Sequence, residues 1–271
     1  MAYFLVLLFV AIAVAVIIVP PRFRRWRRAK HFATPFPSVY REILERNVPL
    51  HRKMPKALKQ ELCGHVNVFL HEKRFFGCGG LQITDEIRVT IAGNACMLLL
   101  NRDARYFPGF TSILVYPDTY LVDDVYYDGE VEIRGQDARA GESWQRGPVI
   151  LSWQDVADNF CGTSNGENVV LHEFAHKLDE ENTDVEGLPI LADKSQYREW
   201  AGVLTRTYES LVESPEAGGD PVFDDYALTA PAEFFAVATE SFFEKPREVK
   251  QKFPELYSQF SKYYCVDPAS W

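Results

Sequence analysis

The sequence predicts an α+β fold, mainly helical with a small sheet, preceded by one transmembrane helix. Three observations predict it: an uncharged apolar stretch opens the chain, helical periodicity fills both flanks of the body, and strand-forming runs are confined to its middle. A chain of 271 residues that is 47% hydrophobic and 25% charged has the size and balance of one globular domain.

Met1 to Val19 carries no charge and is almost wholly apolar, about the length that crosses a bilayer core as a helix. Pro20, Pro21 and six cations follow directly: Arg22, Arg24, Arg25, Arg27, Arg28 and Lys30. A positive flank of this kind is retained on the cytoplasmic side, which predicts a single-pass membrane protein with its N-terminus outside and its body cytoplasmic. A cleavable signal peptide would carry its charge before the apolar stretch and a small-residue cleavage site after it; both are missing. The expected organisation is therefore residues 1–20 as transmembrane helix, 21–38 as basic juxtamembrane segment and linker, and 39–271 as the working domain.

The net charge is −9, so with those six cations set aside the rest of the chain carries −15, that is −9 less 6. Phosphate-backbone binding depends on Lys and Arg, and an acidic body of this size argues against nucleic acid as a partner. The five cysteines (Cys63, Cys78, Cys96, Cys161, Cys265) are odd in number, scattered and never in a CxxC pair, which suggests neither a disulfide framework nor a zinc ribbon.

Within the body, residues 31–40 are punctuated by proline and lead into a helix near Tyr40 to Arg46. Leu62, Val66, Phe69 and Leu70 recur at helical spacing in Leu58 to Arg74, and Thr84, Asp85 and Glu86 form the opening signature of a helix running to about Leu100. The glycine-rich FGCGGL at Phe76 to Leu81 lacks a following GK[ST] and reads as a turn, not a phosphate loop. From Ser112 the runs SILVYP, TYLVDDVYY, VEIRG and PVILSW, separated by Gly, Asp and Pro, read as strands and turns. Helical period returns over Val169 to Asp179, Ser195 to Val212 and Pro231 to Glu244, with a further helix beginning near Pro246.

Chemistry concentrates in VVLHEFAHKLDE. His172 and His176 stand four apart on a helix, so both imidazoles reach one ion from the same face. Glu173, turned about 100° by the helical period, is placed to take a proton from a water that zinc acidifies, without itself being a ligand. A catalytic zinc wants a third protein ligand, and no histidine follows the motif. His31, His51, His65 and His71 all lie far upstream. In PAEFFAVATESFFEKP, Glu233 and Glu240 are seven residues apart and share nearly one helix face; spacing leaves the choice between them open. Asp179, on the same face as the two histidines, is either a carboxylate orienting an imidazole or an ion-pair partner at the helix end. PVILSW is equally readable as an edge strand for an extended peptide and as a buried structural strand.

The segment from GENVVLHEFAHKLDEENTDVEGLP to DDYALTAPAEFFAVATESFFEKP, together with FFGCGGLQITDEIRVTIAGNACMLLLN and GESWQRGPVILSW, closely resembles the MtfA-like zinc peptidases. That family is named for a glucose-repressor antagonist and shares a catalytic core with the anthrax lethal factor protease. The resemblance covers about residue 35 to the end and implies a zincin-like, gluzincin-type metallopeptidase domain over 39–271 with one zinc ion per chain. It implies Glu233 as third metal ligand beside His172 and His176, Glu173 as general base, and Tyr226, seven residues earlier, reaching toward the substrate carbonyl. A phenol so placed can donate to a developing oxyanion. The N-terminal apolar stretch departs from the soluble member for which the family is named. Two functions compete on this reading: an aminopeptidase-like peptidase acting on a peptide or protein substrate, and a regulatory protein that binds and sequesters a transcriptional repressor.

Overall fold

Helices surround three short parallel strands in the computed structural model, which describes residues 20–118, 125–128, 131–134, 147–162, 167–182, 187–213 and 222–271. A helix over 20–32 (α1) precedes α2 (Ser38–Asn47), α3 (Pro49–Lys53) and α4 (Lys56–Glu72). Strand β1 (Arg74–Gly77) leads through α5 (Asp85–Met97) to β2 (Ser112–Tyr116), the hairpin β3 (Val125–Asp128) and β4 (Val131–Arg134), and then β5 (Val149–Ser152). The C-terminal half is α6 (Trp153–Cys161), α7 (Val169–Asp179), α8 (Tyr197–Glu213), α9 (Pro231–Glu244), α10 (Pro246–Lys252) and α11 (Pro254–Tyr264). Short 3₁₀ turns over Lys194–Gln196 and Asp225–Leu228 lead toward α8 and α9.

The helices follow from local signals. Thr84 caps α5 by accepting the Ile87 N–H, and Pro opens α9, α10 and α11, where a missing N–H costs nothing. α7 and α9 begin and end where the sequence period places them.

The expected fold class, mainly helical with a small sheet, gains one detail and needs one correction. First, the main sheet is parallel: its order is β1-β2-β5, with Phe75 paired to Ile113 and Val115 to Leu151. Parallel neighbours require a crossover, which α5 supplies between β1 and β2. β1 runs into the FGCGGL turn and shares Phe76 and Gly77 with it; at four residues, RFFG is too short for its period to be read. Antiparallel pairing among the described residues is confined to the β3–β4 hairpin, while β5 is an edge of the parallel sheet.

Second, no helix among the described residues is long and apolar enough to cross a membrane. The expected transmembrane helix over residues 1–20, and with it the single-pass localisation with the N-terminus outside and the membrane as a partner, is therefore not supported. Met1 to Val19, on which that expectation rested, lies outside the described residues. The helix that is described there, α1, carries the six cations, and a bilayer core needs about 20 mostly apolar residues. α1 docks on the domain. The Arg28 guanidinium makes two bonds of 2.8 Å to the Glu72 carboxylate, donates to the Arg105 carbonyl at 3.0 Å and lies over the Tyr106 ring. His31 stacks on His71, and the Phe32 ring meets His65 edge-on.

The core lies between α7, α9 and their neighbours. Phe174 of α7 packs against Phe69, Phe107 and Phe110, and the Phe235 ring of α9 meets Trp200, Phe260 and Tyr263. Lys73 braces the wall behind α7. Its buried ammonium donates to the Phe107 carbonyl at 2.6 Å and the Phe110 carbonyl at 2.8 Å, holding a turn in which Tyr106 and Phe107 both take left-handed backbone. Burial lowers its pKa to about 8 despite the nearby Glu72 carboxylate.

Candidate metal centre

Two buried faces bring the site together. On α7, Val170, Leu171, Phe174, Ala175 and Leu178 turn inward, which leaves His172, Glu173 and His176 on the half-buried side. On α9, the residues from Phe234 to Phe243 are all buried, and Glu233 stands in the first turn, just outside that run. Helix α7 packs on α9 so that Glu233 meets both histidines.

The Nε2 atoms of His172 and His176 are 3.2 Å apart, and Glu233 Oε2 lies 3.1 Å from the first and 3.3 Å from the second. Four tetrahedral ligands at zinc distances of 2.0–2.1 Å stand about 3.3–3.4 Å from one another, so this triangle has the edges that three such ligands need. Among the described residues, this is the group of three or more His, Cys, Asp or Glu able to hold a metal ion together.

Glu240, two turns further along α9, grips the same imidazole from its other side. Its Oε1 accepts the His172 Nδ1–H at 2.6 Å, and its Oε2 accepts the Asn168 backbone N–H at 2.7 Å. The bond at Nδ1 fixes the tautomer that leaves Nε2 for a metal. Burial works against charge on His172, but the bonds to Glu233 and Glu240, with the field of Glu240 and Glu173, raise its pKa to about 10. Glu233 is held well below the usual carboxylate range: burial opposes this, and the bonds to His172 and His176 and their charge outweigh it. The same negative field favours a cation at the centre of the triangle.

Burial raises the Glu173 pKa, opposed by His172, His176 and Lys177. Tyr226, in the 3₁₀ turn before α9, is 45% exposed, and its ring centroid lies 6.0 Å from that of His172. Asp224 caps that turn by accepting the Tyr226 N–H at 3.0 Å.

Asp179 takes neither role expected of it. Fully buried, it accepts the Gly187 N–H at 2.8 Å and so anchors the strand of chain that returns past α9. Its pKa rises to about 6 through burial, against the Gly187 N–H and the His176 charge. Gly187 has a φ of +72°, and a Cβ there would stand 2.7 Å from the Pro231 carbonyl at the head of α9. The residue the sequence reading passed over is Asn168. Its Oδ1 caps α7 by accepting the Leu171 N–H, and an Asn just before VVLHEF is itself a capping signature.

The pattern of the glucose-regulated metallo-peptidase M90 family matches residues 23–265. The chain belongs to that family. An uncharacterized protein of Synechocystis sp. is 37% identical to this M90 member over 250 residues, covering 92% of this chain and 91% of the other. Mlc titration factor A of Cronobacter sakazakii is 32% identical over 245 residues, 89% of this chain and 91% of its own. The Klebsiella pneumoniae protein of the same name is 35% identical over 204 residues, 74% of this chain and 76% of its own. The MtfA-like resemblance read from the motifs is thus shown. Membership in the M90 family makes the chain a metallopeptidase homologue and implies a metal, which the His172, His176 and Glu233 triangle fits in donor type and spacing.

Proposed function

We propose that this chain is a zinc-dependent peptidase with one ion per chain held by His172, His176 and Glu233. The observation that carries the reading is the triangle of two imidazole nitrogens and one carboxylate oxygen, with edges of 3.1 to 3.3 Å. Two histidines and one carboxylate leave a fourth, open position, the composition of a hydrolytic zinc site. Bound there, zinc supplies a Lewis acid that polarises the scissile carbonyl and brings the pKa of water toward neutrality.

Glu173 takes the proton of the attacking water and delivers it to the leaving amine. Its burial-raised pKa suits it to both halves of that transfer. Tyr226 donates its phenol O–H to the oxyanion as the carbonyl carbon becomes tetrahedral; its exposure beside His172 supports that role. β5, an edge of the parallel sheet in contact with α7, gives an extended peptide main-chain partners beside the site. Aminopeptidase-like cleavage is the finer reading. Family resemblance supports it.

The test is Glu173→Gln in the full-length protein. The variant should keep its zinc and lose nearly all hydrolysis of a peptide library, because the base sets rate and not metal affinity. Wild-type turnover in that variant would show that another base acts. Digestion of peptides with free and acetylated N-termini separates aminopeptidase from endopeptidase action.

The relatives named Mlc titration factor A support a second reading, in which this chain binds and sequesters a transcriptional repressor and the metal site is secondary. A cellular effect that survives Glu173→Gln in a folded, metal-loaded protein favours that reading.

A further inference from the structure

We propose that Asn168 is a positioning residue for the metal centre, setting the alignment of α9 against α7 through Glu240 and Glu244. Only 1% of Asn168 is exposed, and its polar groups reach three helices, α5, α7 and α9. Its Oδ1 caps α7 itself, and its amide Nδ2 donates to Asn94 Oδ1 of α5 at 3.1 Å and to Glu244 Oε1 of α9 at 2.8 Å. Its backbone N–H goes to Glu240 Oε2 at 2.7 Å. Two carboxylates one turn apart on α9 thus hold one residue of α7, Glu240 by its main chain and Glu244 by its side chain.

Glu240 and Glu233 then meet the two nitrogens of the same ring, at 2.6 Å on Nδ1 and 3.1 Å on Nε2 of His172. A shift of α9 along α7 that loosens Asn168 therefore carries Glu233 away from both imidazoles. Asn159 of α6 reinforces the grip by donating to the same Glu244 oxygen at 3.2 Å. A ligand set must be held within about 0.5 Å of its working geometry, and among the described residues the Glu233 carboxylate is bonded to the two histidines alone.

This rests on the reading of His172, His176 and Glu233 as the metal site, and the experiment separates the two. Zinc affinity of the full-length protein is measured by chelator competition, well below each variant's melting temperature, and the visible spectrum is recorded with cobalt(II) in place of zinc. Asn168→Ser and Asn168→Asp both retain a good helix cap, so a residue that only caps α7 predicts wild-type affinity and an unchanged cobalt spectrum for both. The positioning role predicts a loss of about 10- to 100-fold in zinc affinity and a shifted cobalt spectrum in both, the range seen when a partner behind a metal ligand is removed. The double variant Asn168→Asp with Glu244→Gln exchanges acceptor and donor across the bond and should recover most of the loss. Should Asn168→Asp fail to fold, Asn168→Ser and the double variant decide. A folded Asn168→Ser with wild-type zinc affinity overturns the proposal, whereas a wild-type protein that takes up no zinc overturns the metal reading beneath it.

Discussion

Replacing Glu240 by Gln isolates the carboxylate that stands behind His172. Glu240 offers one oxygen to the His172 Nδ1–H and the other to the Asn168 N–H, and its side chain is only 9% exposed. Gln has one oxygen, so one buried donor must face its NH2 group unpaired. Losing a charge-assisted bond and stranding a buried donor costs about 1.5–3 kcal/mol, which is about 10- to 150-fold if it appears wholly in zinc affinity. Glu233→Ala removes an atom of the triangle itself and should weaken zinc by more than the roughly 100-fold upper range for an orienting partner. Competition with a chelating dye at pH 7.5, on samples shown to be folded, orders the two. Unchanged affinity in Glu240→Gln refutes the orienting role. Metal lost from Glu240→Ala but kept in Glu233→Ala refutes the ligand assignment, and with it the place given to Tyr226.

Gly187→Ala should destabilise the protein more than Gly162→Ala. Both glycines have positive φ, a cost of about 1–2 kcal/mol for alanine, but only at Gly187 does the new Cβ also meet backbone, the Pro231 carbonyl at 2.7 Å. Calorimetry should find the larger drop in Tm for Gly187→Ala, and equal drops would refute the close approach. Lys73 gives a pH signature. Its folded pKa of about 8 lies below the value of about 10.4 of an unfolded lysine, so the unfolded chain binds more protons between those limits and stability rises with pH there. The stability of wild type relative to Lys73→Met, from urea unfolding at pH 7 and pH 9.5, should therefore increase by about 2 kcal/mol, within the ceiling of roughly 3 kcal/mol that 1.36 kcal/mol per unit allows. A flat or falling difference would show that Lys73 is not a desolvated ammonium.

Much of the fold was legible where the signal is local. The periods of VVLHEFAHKLD and PAEFFAVATESFFE, the cap at Thr84 and the prolines at 231 and 246 locate helices because each depends on residues within a few positions of one another. The short pieces β1, α3 and α6 escaped, since four to nine residues carry too little periodicity to stand out. The helical character of residues 20–32 escaped as well, because Pro20 and Pro21 suggest a break, whereas proline is tolerated in the first turn of a helix.

By itself the sequence determined that His172 and His176 share a helix face with Glu173 one step round, since that follows from a pitch of about 3.6 residues per turn. It also limited the third partner to Glu233 or Glu240, two acids on nearly one face. Only the tertiary structure decided which of them meets the Nε2 atoms and which meets Nδ1. The same holds for Asp179, whose partner Gly187 lies in a returning loop, and for Asn168, whose amide joins three helices. The physical reason is common to them all. Spacing along one helix is dictated by the backbone, but the register of one helix against another is set by side-chain packing and buried hydrogen bonds between residues far apart in the chain. His172 and Glu240 stand 68 positions apart, and no local pattern encodes a contact across that distance.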